Sequence, residues 1–314
     1  MSRKVSFKEQ MFRVLNSKNC FGQSKYKAKQ ESYKKGNKGK VNGIYSKKTM
    51  HDYKKVAEQF HNWQKSKGYN FHSLNDVKQS VLIEYLQDRQ KNGCSAWTTS
   101  RDLSALNKIF NTAITKKEAH LSSRCSANIK NNRGLANNYR NSVYQNPTNK
   151  QIITFIQATG VRRQSLTTIS PQNAIRNTKN IVIGFCVVEK GGKPRNCYVR
   201  NEFQQQITTF VDKHSATKGN KPFWNNINKN LNTHWYRSEY AQGLYNDLLS
   251  EKQNKTDYFN GYRETFINEK NLLSATNGHK ETIKGYDTEI LALVSQNLGH
   301  NRIDVVYTNY LGKF

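Results

Sequence analysis

Acidic residues are scarce in this chain: 22 Asp and Glu stand against 51 Lys and Arg in 314 residues, a formal charge of +29. An excess of that size exceeds what solubility needs and points to a polyanionic partner. Long apolar runs are missing as well. No stretch approaches the roughly 18 apolar residues that span a bilayer, and there is no signal-peptide pattern. An anionic membrane therefore ranks behind duplex nucleic acid, whose neutralised phosphates release counterions. The five cysteines, Cys20, Cys94, Cys125, Cys186 and Cys197, are odd in number and form no Cys-x-x-Cys pair. That argues against zinc and disulfide frameworks and fits idle thiols in a reducing cytoplasm. No repeat is visible at periods of about 20 to 50 residues, which sets solenoids aside.

The length suits two domains, each with its own core. Over the first fifty residues 14 Lys and Arg face 2 Glu, giving +12. With so little apolar content, residues 1–46 read as a basic, flexible arm that orders on a phosphate backbone. An inert solubilising extension is the alternative. From Lys47 the pattern turns helical: Met50, Val56, Phe60 and Trp63 recur at three-to-four spacing up to Gly68. Ser73 opens a second helix with Val77, Val81, Ile83 and Leu86 as its stripe, and Asn92-Gly93 stops it. A third runs from Ala96 through Leu103, Leu106, Phe110 and Ile114. These make a helical domain over residues 47–120.

Residues 121–146, rich in Asn, Ser and Arg, read as a linker, and residues 147–314 as a second domain. Pro147 starts a helix that Gly160 ends. Two short β-branched segments, 181–188 and 196–199, flank a glycine turn at Lys190-Gly-Gly-Lys-Pro and predict a hairpin. Beyond Glu202 the pattern is mostly helical. The fold class is mainly α with a small antiparallel β-sheet.

Several short motifs follow one another in this second domain: Thr159-Gly-Val-Arg162, with Arg163 adjacent; Lys190 at the hairpin tip, with Lys193 nearby; Asn260-Gly-Tyr-Arg263-Glu-Thr-Phe266; Leu298-Gly-His300; and Tyr307 and Tyr310 near the end. Their order, on so basic a chain, resembles the tyrosine recombinases of the phage-integrase family, and the helical segment resembles that family's SAM-like core-binding domain. The resemblance implies an α-helical DNA-binding domain followed by a catalytic domain.

It also implies roles. Arg162 and Arg263 clamp a phosphodiester through planar, permanently charged forks. Lys190 protonates the leaving 5′-oxygen, and His300 hydrogen-bonds a non-bridging oxygen. Tyr310 attacks phosphorus, with Tyr307 as the alternative: the family spacing from the histidine is nine residues, and these lie ten and seven beyond it. Two departures stand out. Ser165 occupies a position where the family carries an acid, and Asn260 replaces the histidine of the His-x-x-Arg box, where it cannot take a proton.

The function implied is site-specific DNA recombination through a 3′-phosphotyrosyl intermediate, with no metal or nucleotide cofactor. The implied partner is double-stranded DNA, bound by a homo-tetramer, in the cytoplasm, in the service of a mobile element. Strand relaxation of the type IB topoisomerase kind and a catalytically degenerate DNA-binding protein are the two alternatives.

Overall fold

The computed structural model describes residues 5–37, 39–125, 141–189 and 192–311. The chain divides into two compact units, Met1–Ile129 and Lys130–Phe314. Among the described residues no helix is long and apolar enough to cross a membrane.

Among the described residues the first unit is built of five α-helices: α1 (Phe7–Ser17), α2 (Lys25–Lys34), α3 (Lys47–Ser66), α4 (Gln79–Lys91) and α5 (Ala96–Ile109). Serine marks most of their beginnings. Ser6, Ser24, Ser46 and Ser95 each accept a backbone N–H of the first turn, a cap that stabilises a helix by about 1 kcal/mol. The core gathers Val56 and Phe60 from α3, Leu82, Tyr85 and Leu86 from α4, and Leu103, Leu106 and Ile109 from α5. Ser73 caps a short 3-10 turn, Leu74–Asp76, instead of α4, so Val77 lies ahead of the helix; on α4 the inward face is Val81, Leu82, Tyr85 and Leu86, with Ile83 partly buried. The Tyr85 ring meets Phe60 of α3 edge-on at 5.3 Å.

Among the described residues of the segment 1–46, a flexible arm is not what forms. Phe7, Met11 and Leu15, one apolar residue per turn of α1, are buried in the same core as Val56 and Phe60. The segment lacks apolar residues for a core of its own and instead contributes a helix to its neighbour's. Ile44 is buried there too, so the excursion around α2 begins and ends at the core.

The second unit has a three-stranded antiparallel sheet in the order β1 (Ala174–Arg176), β2 (Val182–Val188), β3 (Pro194–Tyr198). The expected hairpin is β2–β3, with Phe185 opposite Cys197 and Val187 opposite Arg195. Cys186 faces solvent while Cys197 is buried, so the two thiols do not meet. β1 is an additional strand, joined to β2 through a register shift.

Around the sheet pack α6 (Asn141–Gln145), α7 (Pro147–Thr159), α8 (Arg163–Leu166), α9 (Gln204–Lys218), α10 (Thr233–Gln253), α11 (Arg263–Phe266), α12 (Glu269–Thr276), α13 (Thr288–Asn297) and α14 (Ile303–Val306). A two-residue pair, β4 (Thr282–Ile283) with β5 (Tyr286–Asp287), precedes α13. One core holds Phe155 of α7, Phe185 of β2, Phe223 and Trp224. Another holds Tyr240, Leu244 and Leu248 of α10 with most of α13. The buried centre of α13 makes its C-terminal end a fixed platform, and the Asn297 side chain, accepting from the Tyr198 backbone at 3.1 Å, ties that end to β3.

Candidate active site

Chain reversals at two glycines bring the site together. Gly160, in the left-handed region at φ +60°, ends α7 and turns its carbonyl toward the side chain of Arg237, which donates to it. A Cβ at Gly160 would lie 2.2 Å from the Tyr240 ring, so only glycine allows this approach. Gly299, at φ +69°, ends α13 in the same way; a Cβ there would sit 2.8 Å from the Arg195 side chain. Leu298 then presents its carbonyl to two guanidinium groups at once: Arg162 donates at 3.0 Å and Arg237 also donates.

Arg237 is the centre of the arrangement. It is 1 % exposed, and its Nε donates to the Tyr310 hydroxyl at 3.2 Å while its two Nη groups reach Gly160 and Leu298. Its guanidinium also lies over the Tyr310 ring at 5.7 Å. His300 completes the cluster, with Nε2 at 3.0 Å from the same hydroxyl. Tyr310, 5 % exposed, thus has its oxygen between a histidine and an arginine. Tyr307 points elsewhere, with the Lys284 ammonium over its ring at 5.1 Å. Tyr307–Leu311 forms a π-type turn directly after α14.

Glu189, just after β2, is the one carboxylate in contact with this cluster among the described residues. It pairs with the Arg162 side chain, accepts from the Arg162 backbone at 3.1 Å, and binds Arg195 through both oxygens at 3.0 and 3.2 Å. Ser165 donates to it at 3.2 Å. Glu189 thus stands beside Ser165, which is its hydrogen-bond donor. Three guanidinium groups against one carboxylate leave an excess of positive charge in a low-dielectric setting, where it acts strongly on an incoming anion. Arg162, with 26 % of its side chain exposed, is the arm that solvent reaches.

The electrostatics follow from that crowding. Burial, then the neighbouring Arg237 and Arg195 charges, push Arg162 below its ordinary value. His300 is pushed down to about 3 by burial first, then by Arg237, Arg162, Arg195 and His234. The imidazole is neutral at pH 7. An unfolded chain takes up the proton near pH 6.5 while the folded one refuses it, so His300 makes the fold less stable as pH falls from about 6.5 toward 3. Urea unfolding followed across that window should show a shallower pH dependence in His300→Gln than in the parent; equal slopes would place the effect elsewhere.

Two expected residues are not brought to the cluster. Arg263 pairs with Glu269 at 2.7 Å and approaches Glu289 at 3.8 Å, with its guanidinium over Tyr258. Glu289 is in the first turn of α13, whereas Leu298 follows its last, a separation of roughly 13 Å at 1.5 Å per residue. Carboxylates thus hold Arg263 at the wrong end of the helix. Asn260 is exposed, in a left-handed turn at φ +47°, and lies near the Tyr198 side chain rather than any group of the cluster. Arg163, the neighbour of Arg162, donates to the carbonyls of Ile227, Asn228 and Leu231 and fixes that loop. Lys190 lies outside the described residues.

The arginine that the structure brings into the cluster is Arg237, and the sequence carried a signal for it. His234-Trp-Tyr-Arg237 has the literal His-x-x-Arg spacing, on the first turns of α10. His234 is exposed and close enough to His300 to affect its charge. Arg195, on β3, was also missed: an arginine after a lysine- and glycine-rich turn has no distinguishing pattern.

In comparison with known proteins, residues 40–117 match the phage integrase N-terminal SAM-like domain. That segment takes in α3, α4 and α5, whereas α1 and α2 precede it. No curated protein matches the chain in sequence. Among solved structures, the chain is similar to the XerH site-specific recombinase bound to its difH substrate, with 15 % identity over 98 % of this chain and 94 % of that one and a TM-score of 0.46. It is also similar to the Tn1549 transposon integrase in complex with transposon right end DNA, with 15 % identity over 92 % of this chain and 95 % of that one and a TM-score of 0.41.

Proposed function

We propose that the chain is a site-specific DNA recombinase or integrase that cuts and rejoins duplex DNA through Tyr310. One observation carries this reading: the Tyr310 hydroxyl sits within hydrogen-bond distance of both a neutral histidine and a buried arginine. The SAM-like domain and the charge of +29 supply the DNA-binding side of the same function.

A phenol with an ordinary pKa near 10 attacks phosphorus only when its proton has somewhere to go and its developing charge is met by cations. His300 Nε2 accepts the proton in the tautomer that carries hydrogen on Nδ1. Arg162, with Arg195 behind it, offers positive charge to the non-bridging oxygens, and Arg237 holds the attacking oxygen. Such preorganised charge lowers the barrier by several kcal/mol per donor. The phosphorus–tyrosyl bond forms as the bond to the 5′-oxygen breaks, and that oxygen takes a proton to leave as a hydroxyl. Attack by a partner strand's 5′-hydroxyl restores the diester and the phenol. We assign the place sought for Arg263 to Arg237, the proton-accepting role sought at Asn260 to His300, and the acid sought at Ser165 to Glu189. A homo-tetramer on two duplexes at a specific target site belongs to the same proposal.

Incubation with a duplex nicked beside the scissile phosphate traps the covalent product, which a denaturing gel resolves. The wild-type chain should give that adduct. Arg237→Lys keeps the charge but loses the fork, and adduct should fall by at least about a hundredfold on the scale of a removed oxyanion donor. Arg263→Lys should stay within a few-fold of wild type. The reverse pattern would return the clamp to Arg263.

A further inference from the structure

Residues 20–43 form a lobe that precedes most of the SAM-like segment, and their composition is lopsided: seven lysines against one acid, Glu31. The lobe is clipped shut at its base. A parallel bridge joins Asn19 and Ile44, with Ile44 donating to Lys18 at 2.7 Å and Cys20 donating to Ile44 at 3.0 Å. Across that neck, the Lys18 and Lys108 ammonium groups converge on one residue, Asn42, at 3.2 Å to its side-chain oxygen and 2.8 Å to its carbonyl. Inside the lobe, the Ser32 hydroxyl donates to the Lys40 carbonyl at 2.7 Å. The Tyr33 ring lies so close to Gly39 that a Cβ there would be 2.5 Å away. The returning chain is therefore packed on α2.

This packing leaves the charge outside. Only Ser32 of α2 is buried, and Lys27, Lys29, Lys34 and Lys35 are exposed. None of these four is in an ion pair with a carboxylate among the described residues. Burial, then Lys18 and Lys25, push the Lys108 ammonium down to about 8, a sign that cations crowd the neck without enough counter-charge. A helix that buries almost nothing yet is capped, clipped and lysine-coated is maintained for its surface.

We propose that this lobe is a preformed grip for the phosphate backbone of duplex DNA, separate from the contacts of the SAM-like core. The inference rests on the DNA-processing reading above. Because the lobe is ordered beforehand, binding does not have to order it, and its lysines add affinity without sequence choice. Deleting residues 1–46 would not test this, since the deletion also takes α1 out of the core.

The test uses the full chain with Lys27, Lys29, Lys34 and Lys35 all changed to Gln, and a second quartet changed to Arg. Duplex affinity is measured against monovalent salt. Each phosphate left without its lysine lowers the slope of log affinity on log salt by about 0.9. The Gln quartet should therefore fall by roughly two to four in slope, and the Arg quartet should keep the parental value. A Gln quartet with the parental slope overturns the proposal, as does weakened binding to anionic lipid vesicles with duplex binding unchanged. If the Gln quartet does not fold, each single Lys→Gln variant should remove about 0.9 by itself, and four unchanged singles are equally fatal. At saturating duplex the Gln quartet should still form the covalent adduct. Absence of adduct from the wild-type chain defeats the recombinase reading while leaving the slope measurement valid.

Discussion

Tyr310→Phe should form no covalent adduct with a nicked duplex, while Tyr307→Phe should form it at close to the parental level. Phenylalanine keeps the ring that packs beside Arg237 and His300 but has no oxygen to attack phosphorus. The fold should survive, because Tyr310 contributes its ring to a core with Leu311 and Val306. The hydroxyl it gives up is bonded to Arg237 and His300, and removing one partner of a buried hydrogen bond costs about 1 to 3 kcal/mol. A thermal midpoint measured beside the gel separates chemistry from folding. An adduct in Tyr310→Phe that vanishes in Tyr307→Phe would move the nucleophile to position 307.

Glu189→Ala should be nearly as damaging, by a different route. Its carboxylate holds Arg162 and Arg195 and receives Ser165. Without it, two guanidinium groups face each other and Arg237 with nothing between them, and removal of one partner from a buried pair costs about 3 to 5 kcal/mol. The forks would also turn away from where the phosphate must sit, and a misplacement of about 1 Å is enough to cost roughly a hundredfold in rate. Glu189→Gln distinguishes the two effects. It retains one acceptor oxygen, so more stability should remain than in Glu189→Ala, with adduct formation still reduced by at least about tenfold. Equal activity in Glu189→Gln and the parent would show that the carboxylate's charge is not needed.

Much of this was readable from the residues. Helices α3, α5 and α7 announced themselves by apolar spacing and by Ser, Gly and Pro at their ends, signals that are local and need no partner; α4 showed its spacing and its Asn92-Gly93 stop, but not its start. The β2–β3 hairpin was equally plain. Tyr310, His300 and Arg162 were visible as motifs, and the structure brings their side chains around one carbonyl and one hydroxyl.

What was not legible depended on distant contacts. α1 looked too polar to join a core because its three buried apolar residues only make sense beside Phe60. Arg263 was read from its context, since Thr265-Phe266 follows it, and nothing local revealed that Glu269 and Glu289 would hold it. Glu189 gave no sign at all. A glutamate at a strand end acquires meaning only when the chain places two arginines and Ser165 against it.

The turn from Tyr307 to Leu311 explains a mismatch in counting. Position 310 lies one place farther from His300 than the usual arrangement of these motifs. A helical turn widened to admit one more member lets the backbone take up that surplus locally. Within that turn the Tyr310 phenol lies beside His300 and Arg237. A search built on fixed distances between motifs would therefore pass over chains like this one, whereas a search allowing a bulge before the last tyrosine would find them.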